Sequence, residues 1–115
     1  MQRQMLSGKI HGATVTDAQI HYEGSVTIDS KLLKAADILS GEKVLIANLT
    51  NGARLESYAM EGQPGTGEIC LNGGAAKHGK RGDKVIIMAF AVLEEKELKN
   101  HTPKVVHVND LNQII

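Results

Sequence analysis

The sequence predicts a mainly β fold, a small barrel of short strands with a few helical turns. Its 115 residues fit one domain, which buries roughly two-thirds of the surface that the unfolded chain exposes. Short runs of β-branched and aliphatic residues are separated by glycine-rich turns, and strands do not alternate with helices as they do in a parallel sheet. One Phe, two Tyr and no Trp leave the core to Val, Ile, Leu and Ala.

The first elements are strands followed by a short helix. Apolar residues recur at short intervals over residues 5–28, with β-branched threonines between them, and this pattern predicts several short strands. Asp29 or Ser30 is typical of a helix N-cap, and residues 31–37 continue as one or two helical turns. The face that this helix buries is expected to hold Leu32, Leu33 and Ala36.

A β-hairpin comes next. Residues 44–49 and 54–60 flank Thr50-Asn51-Gly52-Ala53, and Asn-Gly favours a tight hairpin turn because both residues tolerate positive φ. Residues 62–67, with one proline and three glycines, predict a loop, and 68–71 predict a strand.

The second half of the chain ends in its most apolar segment. Residues 72–76 are small and predict a bend that another group can approach closely. Residues 84–93 are apolar at nearly every position, which predicts the longest strand in a central place in the sheet. Residues 94–100 predict a charged helical turn and 103–108 a last strand.

The composition argues against several classes of partner. Thirteen basic and thirteen acidic residues give no net charge, so the general attraction to nucleic acid or anionic membrane is missing. The single Cys70 cannot form an intrachain disulfide and is expected in the core. The N-terminus lacks a signal-peptide pattern, and no run has the roughly 18 uncharged residues of a membrane span. We expect a cytoplasmic protein that binds neither nucleic acid nor membrane.

Common catalytic motifs are missing from the sequence. The five histidines show neither the helical pairing nor the clustering with cysteine that a zinc site needs, so no metal is expected. There is no phosphate-binding loop and no Gly-x-Ser-x-Gly elbow. No lysine is marked by its spacing as an anchor for pyridoxal phosphate (PLP), and that cofactor is not expected.

A set of short motifs nevertheless resembles one enzyme family, the bacterial aspartate 1-decarboxylases. The resemblance extends from Met5 to about Leu93, and its motifs are specific in combination although each is weak alone. They are Met5 to His11, Val15-Thr16, Tyr22-Glu23-Gly24-Ser25, Ile28-Asp29, Asn51-Gly52, Arg54, Tyr58-Ala59, Asn72-Gly73, Ala75-Ala76, and Gly82-Asp83 with Val85 to Ile87.

The resemblance implies a fold, an assembly and a reaction. Family members are double-psi β-barrels that form homotetramers, with sites expected at subunit interfaces. They are carbon-carbon lyases that remove the α-carboxyl group of L-aspartate to give β-alanine and CO2 for pantothenate and coenzyme A biosynthesis. An electron sink must then be conjugated to the substrate nitrogen, and a covalently bound pyruvoyl group supplies one by forming a Schiff base with the substrate.

The resemblance also implies that the chain makes this pyruvoyl group itself, as a zymogen. Ser25 is expected to attack the carbonyl of Gly24, and autocatalytic cleavage would leave a β chain, residues 1–24, and an α chain, residues 25–115, that begins with pyruvoyl. Glycine suits position 24 because it has no Cβ, which eases a strained backbone and close attack at its carbonyl.

The resemblance implies roles for two residues of the hairpin, Ser57 and Tyr58. Ser57 occupies the position of a family threonine whose hydroxyl hydrogen-bonds the Gly24 carbonyl and also contacts substrate, and a serine there is held less firmly in χ1. Tyr58 is the expected proton donor after CO2 leaves.

The remaining predicted residues bind substrate. Arg54 and Lys9 are the expected carboxylate binders, and a neighbouring subunit could supply Lys9. The predicted binding bend consists of Asn72, Gly73, Gly74 and Ala75, in which Gly74 replaces a common alanine. Supporting positions around the pocket are His11, Tyr22 and Ile86.

Two alternatives stay open from the residues themselves. One is a non-enzymatic β-barrel that acts as a binding module, because a fold does not determine a function. The other is a hydrolase that uses Ser25, although spacing assigns it no His and Asp partners. Gly-Ser is a common turn dipeptide, and Arg54 or Lys9 could be an ordinary surface cation.

Overall fold

The computed structural model describes residues 1–115 and confirms the mainly β prediction. Its eight strands form one mixed sheet in the order β2-β6-β3-β5-β4-β7-β1-β8, which is compatible with a small barrel. The strands are β1 Gln2–Thr14, β2 Asp17–Gln19, β3 Ser25–Asp29, β4 Lys43–Asn48, β5 Arg54–Gly62, β6 Ile69–Asn72, β7 Lys84–Glu94 and β8 Lys104–His107. The helical segments are α1 Ser30–Ala36, a 3-10 helix Gly73–His78 and α2 Glu95–Leu98. None is long and apolar enough to cross a membrane.

The N-terminal segment corrects two predictions about strand length. Several strands do lie within residues 5–28, and β2 and β3 are short as expected, but β1 is one continuous strand of 13 residues. Because β7 has 11 residues, it is not the longest strand. The pairing of β1 with β7 shifts register between Leu6 and Gly8 and again between His11 and Ala13. Such bulges interrupt the two-residue alternation, so a long strand resembles several short ones in the sequence. The interior position predicted for β7 is confirmed, because it pairs with β4 and β1.

Helix α1 follows β3 directly and is capped as expected at Asp29. The Asp29 carboxylate accepts from the backbone N–H of Lys31 (2.9 Å), Gly65 (3.0 Å) and Gly67 (2.8 Å). The side chain therefore joins the end of β3, the start of α1 and the loop before β6. The expected apolar face is buried at Leu32, Leu33 and Ala36.

The β4–β5 hairpin is confirmed, although its turn is longer than the Asn-Gly pair suggested. Asn48 N donates to Ala53 O (2.8 Å) and Gly52 N donates to Asn48 O (2.9 Å), so residues 49–52 form the connection. Gly52 has a φ of 80°, whereas Asn51 keeps negative φ. The Asn51 side chain instead accepts from Ala53 N (2.8 Å) and donates to His78 O (3.0 Å), which ties the hairpin to the 3-10 helix.

Strand β3 lies between two strands that carry the predicted site residues. It pairs parallel with β5, with Val26 opposite Ala59, and antiparallel with β6, with Ser25 opposite Asn72. The buried core is aliphatic, as the composition predicted, and includes Ile10, Val15, Val26, Ile28, Ile46, Ile69, Leu71, Val85 and Ile87. The segment predicted as a bend after Asn72 is the 3-10 helix, whose small residues fit close against β3 and β5.

Candidate active site

The Gly24–Ser25 peptide lies at the boundary between an exposed turn and the barrel. Residues 21–24 are exposed, whereas Ser25 begins β3 and is only 6% exposed. The structure is that of the uncleaved chain. The preceding carbonyl is therefore near the surface, while the serine side chain is held by its neighbours in the sheet.

A buried hydrogen-bond network holds the Ser25 side chain. Asn72 Nδ2 donates to Ser25 Oγ (3.0 Å) and to Thr27 Oγ1 (2.9 Å). Cys70 Sγ donates to Asn72 Oδ1 (3.2 Å). The register of β3 and β6 explains this grouping, because Ser25 lies opposite Asn72 and Thr27 opposite Cys70, which puts all four side chains on one face.

The state of the thiol follows from its surroundings. Burial raises the pKa of Cys70, and the nearby carboxylates of Asp17 and Glu68 raise it further. Both effects disfavour the thiolate, so the side chain stays protonated at neutral pH and is a donor.

Strand β5 brings Ser57 and Tyr58 to the same place. Because β5 runs parallel to β3 with Ala59 beside Val26, the same register extended towards the N-terminus puts Tyr58 level with Ser25 and Ser57 level with Gly24. A cleft of about 380 Å³ opens here. Its lining residues are Gly24, Ser25, Leu55, Glu56, Ser57, Tyr58, Gly74, Ala75 and His78. No hydrogen bond joins Ser57 to Gly24 in this structure, so the bond to the Gly24 carbonyl stays a prediction.

Gly73 closes the cleft from the side of the 3-10 helix. It is buried with a φ of 59°, and a Cβ there would lie 2.8 Å from Gly24 N and from Tyr22 O. At Gly24 itself, a Cβ would meet nothing within 4 Å. The close approach in this conformation therefore belongs to Gly73, and the role expected of Gly24 during attack on its carbonyl stays a prediction.

The two predicted cations lie away from this cleft within one chain. Arg54 is exposed at the start of β5, four residues or about 13 Å along the strand from Tyr58. Lys9 lies in β1, beside Met88 of β7 and Val105 of β8. The three ion pairs of the chain use other cations, namely Arg3, Lys43 and Lys84. Both carboxylate-binding roles therefore stay predictions.

The three residues predicted to support the pocket do not lie together. Tyr22 is 62% exposed in the turn before Gly24, and its carbonyl faces Gly73. His11 and Ile86 form a cross-strand pair of β1 and β7, outside the cleft. His11 Nδ1 is buried without a hydrogen-bond partner, and its ring is 5.4 Å from that of His107, centroid to centroid.

Sequence reasoning missed several residues around the site. Thr27 and Cys70 extend the network of Asn72, and Glu56, Leu55 and His78 line the cleft. Alternation within β3 and β6 could have found Thr27 and Cys70, since each lies two residues from a predicted site residue. His78 had no such marker, because the 3-10 helix that brings it to the cleft was not predicted.

The sequence of this chain is similar to that of a family of known enzymes. The family model described as aspartate decarboxylase matches residues 1–115. A relative from Listeria monocytogenes serovar 1/2a, named aspartate 1-decarboxylase, is 53% identical over 114 residues, 99% of this chain and 90% of the relative. Two further relatives have the same name. The one from Thermoanaerobacter pseudethanolicus is 50% identical, over 98% of this chain and 97% of the relative. The one from Dehalococcoides mccartyi is 52% identical, over 96% of this chain and 89% of the relative. The chain belongs to the aspartate decarboxylase family.

Proposed function

We propose that this chain is a pyruvoyl-dependent lyase that converts L-aspartate to β-alanine and CO2. The name aspartate 1-decarboxylase, which its relatives carry, supports the reaction. The enzyme would act in the cytoplasm, and its β-alanine would supply pantothenate and coenzyme A biosynthesis. The observation that carries the proposal is the position of Ser25, whose Oγ is bound by Asn72 at the buried end of β3 (3.0 Å), directly after an exposed glycine at the cleft.

The residues present fit the formation of the pyruvoyl group. Ser25 Oγ would bond to the Gly24 carbonyl carbon, the bond from that carbon to Ser25 N would break, and the hydroxyl proton would pass to the freed amine, leaving an ester. Loss of the Ser25 Cα proton would break the Cβ–Oγ bond, which releases residues 1–24 as a carboxylate and leaves dehydroalanine. Water would then displace ammonia and leave the α-keto group on residues 25–115.

Ser57 and Tyr58 act at different stages of this scheme. The Ser57 hydroxyl, level with Gly24 by the β3–β5 register, would donate to the oxyanion that develops during cleavage. When formed, the pyruvoyl group supplies the electron sink that decarboxylation needs. Tyr58, level with position 25, would give a proton to the substrate carbon after CO2 leaves.

Substrate binding in this proposal needs more than one chain. The outer face of β7 and its neighbours is apolar at Met88, Phe90 and Val105. Lys9 lies opposite Met88 and Val105 in the sheet and belongs to none of the ion pairs of the chain. Covering this face in a homotetramer would remove apolar surface from water. It would also let Lys9 enter the cleft of an adjacent subunit, where it and Arg54 would bind the substrate carboxylates, with the backbone of residues 73–75 as a wall.

The hydrolase alternative loses support from the same network. A serine hydrolase needs a general base within hydrogen-bond distance of its nucleophile. The group that binds Ser25 Oγ here is the amide of Asn72, which donates and cannot take the proton.

The test is to purify the full chain and its Ser25→Ala variant and to compare their intact masses. We expect the parent to separate on a denaturing gel into residues 1–24 and 25–115, with a hydrazine reagent labelling the larger piece. The variant should stay whole and unlabelled. The parent should release CO2 and β-alanine from aspartate. Full activity from an intact, unlabelled chain would contradict the pyruvoyl mechanism, and a whole parent without activity would favour a binding module.

A further inference from the structure

The side chain of Asn72 holds Ser25, and its own orientation needs an explanation. An Asn amide has a donor end and an acceptor end of nearly equal shape, and its neighbours decide which way it faces. Two of its partners, the hydroxyls of Ser25 and Thr27, can both donate and accept. They would satisfy either orientation and therefore do not select one.

Cys70 is the partner that selects the orientation of the Asn72 amide. A thiol is a weak donor and a still weaker acceptor, so it is better satisfied by Asn72 Oδ1 than by Nδ2. Its Sγ is 3.2 Å from Asn72 Oδ1 and 4.0 Å from the Leu71 carbonyl oxygen, so the amide is the closer acceptor. With Oδ1 bound to the thiol, both hydrogens of Nδ2 point to the two hydroxyls (2.9 and 3.0 Å).

Most of the network is buried. Cys70 and Asn72 are each 5% exposed and Ser25 is 6% exposed. The raised pKa of Cys70 keeps the proton on sulfur. If the amide turned over in this buried site, the Cys70 thiol would lose its acceptor. Ser25 Oγ would then donate to Asn72 Oδ1 and no longer accept from Nδ2, which would change the direction of its hydroxyl.

We propose that Cys70 is a positioning residue for self-cleavage, whose thiol fixes the Asn72 amide so that Asn72 Nδ2 holds Ser25 Oγ for attack on Gly24. Thr27 completes the network by accepting the second Nδ2 hydrogen. Neither Cys70 nor Thr27 touches the Gly24 carbonyl in this scheme, and both act through Asn72. The inference rests on the proposed self-cleavage.

The test compares the rate of self-cleavage of four full chains by intact mass, from freshly purified precursor. Loss of one hydrogen bond of about 1 kcal/mol corresponds to roughly five- to tenfold in rate, so Cys70→Ala should slow cleavage by that factor. Cys70→Ser restores a donor and should recover to within about threefold of the parent. Val106→Ala, a core change in β8 outside the network, should lower the melting temperature and leave the cleavage rate unchanged.

Three outcomes would overturn the inference while leaving the proposed function in place. Cys70→Ala could cleave as fast as the parent, Cys70→Ser could be no faster than Cys70→Ala, or Val106→Ala could be slowed as much as Cys70→Ala. A parent chain that never cleaves would instead overturn the proposed function, and this inference with it.

A spectroscopic measurement tests the hydrogen bond itself, without cleavage. The chain has one cysteine, so its S–H stretching band belongs to Cys70 alone. In the Ser25→Ala background, which keeps the chain whole, the band should lie at lower frequency than in the same background carrying Asn72→Leu, because a donating S–H bond is weakened. An unchanged band would show that the thiol does not donate to Asn72.

Discussion

At the scale of single residues, the two neighbouring glycines of the 3-10 helix have opposite steric surroundings. Gly73 is packed against Gly24 and Tyr22 and has positive φ, whereas a Cβ at Gly74 would meet nothing within 4 Å. Gly73→Ala should therefore shift the Gly24 carbonyl relative to Ser25 Oγ. Self-cleavage should slow by at least about tenfold, since misplacement of reacting groups by about 1 Å can cost more than that.

Gly74→Ala is the matched control for this prediction. It should stabilise the chain by about 0.4–1 kcal/mol by restricting the unfolded state and leave the cleavage rate near that of the parent. The measurements are cleavage followed by intact mass and thermal unfolding of both variants. Equal cleavage rates for the two variants would contradict the steric role given to Gly73.

Ser57 offers a second prediction at this scale. A threonine at this position adds a methyl group that restricts χ1 and so limits the directions of the hydroxyl. Ser57→Thr should speed self-cleavage by a few-fold, and Ser57→Ala should slow it by at least about tenfold through loss of an oxyanion donor. A time course of precursor mass checks both, and a threonine variant no faster than the parent would count against this role.

At the scale of elements, Asp29 connects β3, α1 and the loop before β6 through one carboxylate. Burial alone would raise the pKa of Asp29, but the backbone N–H groups of Gly67, Lys31 and Gly65 outweigh it and lower the pKa below 3.8. The unfolded chain then binds the proton more tightly than the folded one. The stabilisation is complete above the unfolded pKa and is lost as the pH falls through the folded value.

Asp29→Asn should remove this pH dependence together with part of the stability. We expect the variant to lose about 1–3 kcal/mol at pH 7, because a neutral amide satisfies the three donors less well. Its free energy of unfolding should then fall less steeply than that of the parent below about pH 4. Urea unfolding at matched protein concentration measures both. Asp37→Asn, at the other end of the same helix, is the control and should keep the steep dependence.

The elements also show what a sequence can and cannot predict. Turn and cap residues such as Asp29 and Gly52 act locally, so α1 and the β4–β5 hairpin were predictable from their neighbours alone. The length of β1 was hidden by its bulges, and the 3-10 helix by small residues with weak preferences. The site depended on family motifs for Ser25 and Asn72. The partners Thr27 and Cys70 become visible only with the β3–β6 register, which is a long-range property.

At the scale of the whole molecule, the outer face of β7 is the surface that a single chain leaves uncovered. Val85, Ile87 and Ala89 point inward and are fully buried, whereas Phe90 is 37% and Val92 62% exposed on the other face. Both faces of β7 are thus rich in apolar residues, but only one of them is buried within the chain. An apolar face of this kind is typical of a subunit contact.

Phe90→Asp should therefore dissociate the proposed homotetramer without unfolding the barrel. A charge at a buried contact costs several kcal/mol when unpaired, which exceeds what most interfaces tolerate. Because Lys9 lies on the same face, separated chains would also lose the cation proposed for the adjacent cleft, and kcat/KM for aspartate should fall by at least about tenfold. Leu39→Asp, which places the same charge at a 71% exposed leucine after α1, should leave mass and activity unchanged. Sedimentation and the decarboxylation assay measure the two effects, and a Phe90→Asp protein with the mass and kcat/KM of the parent would show that this face plays no part in assembly.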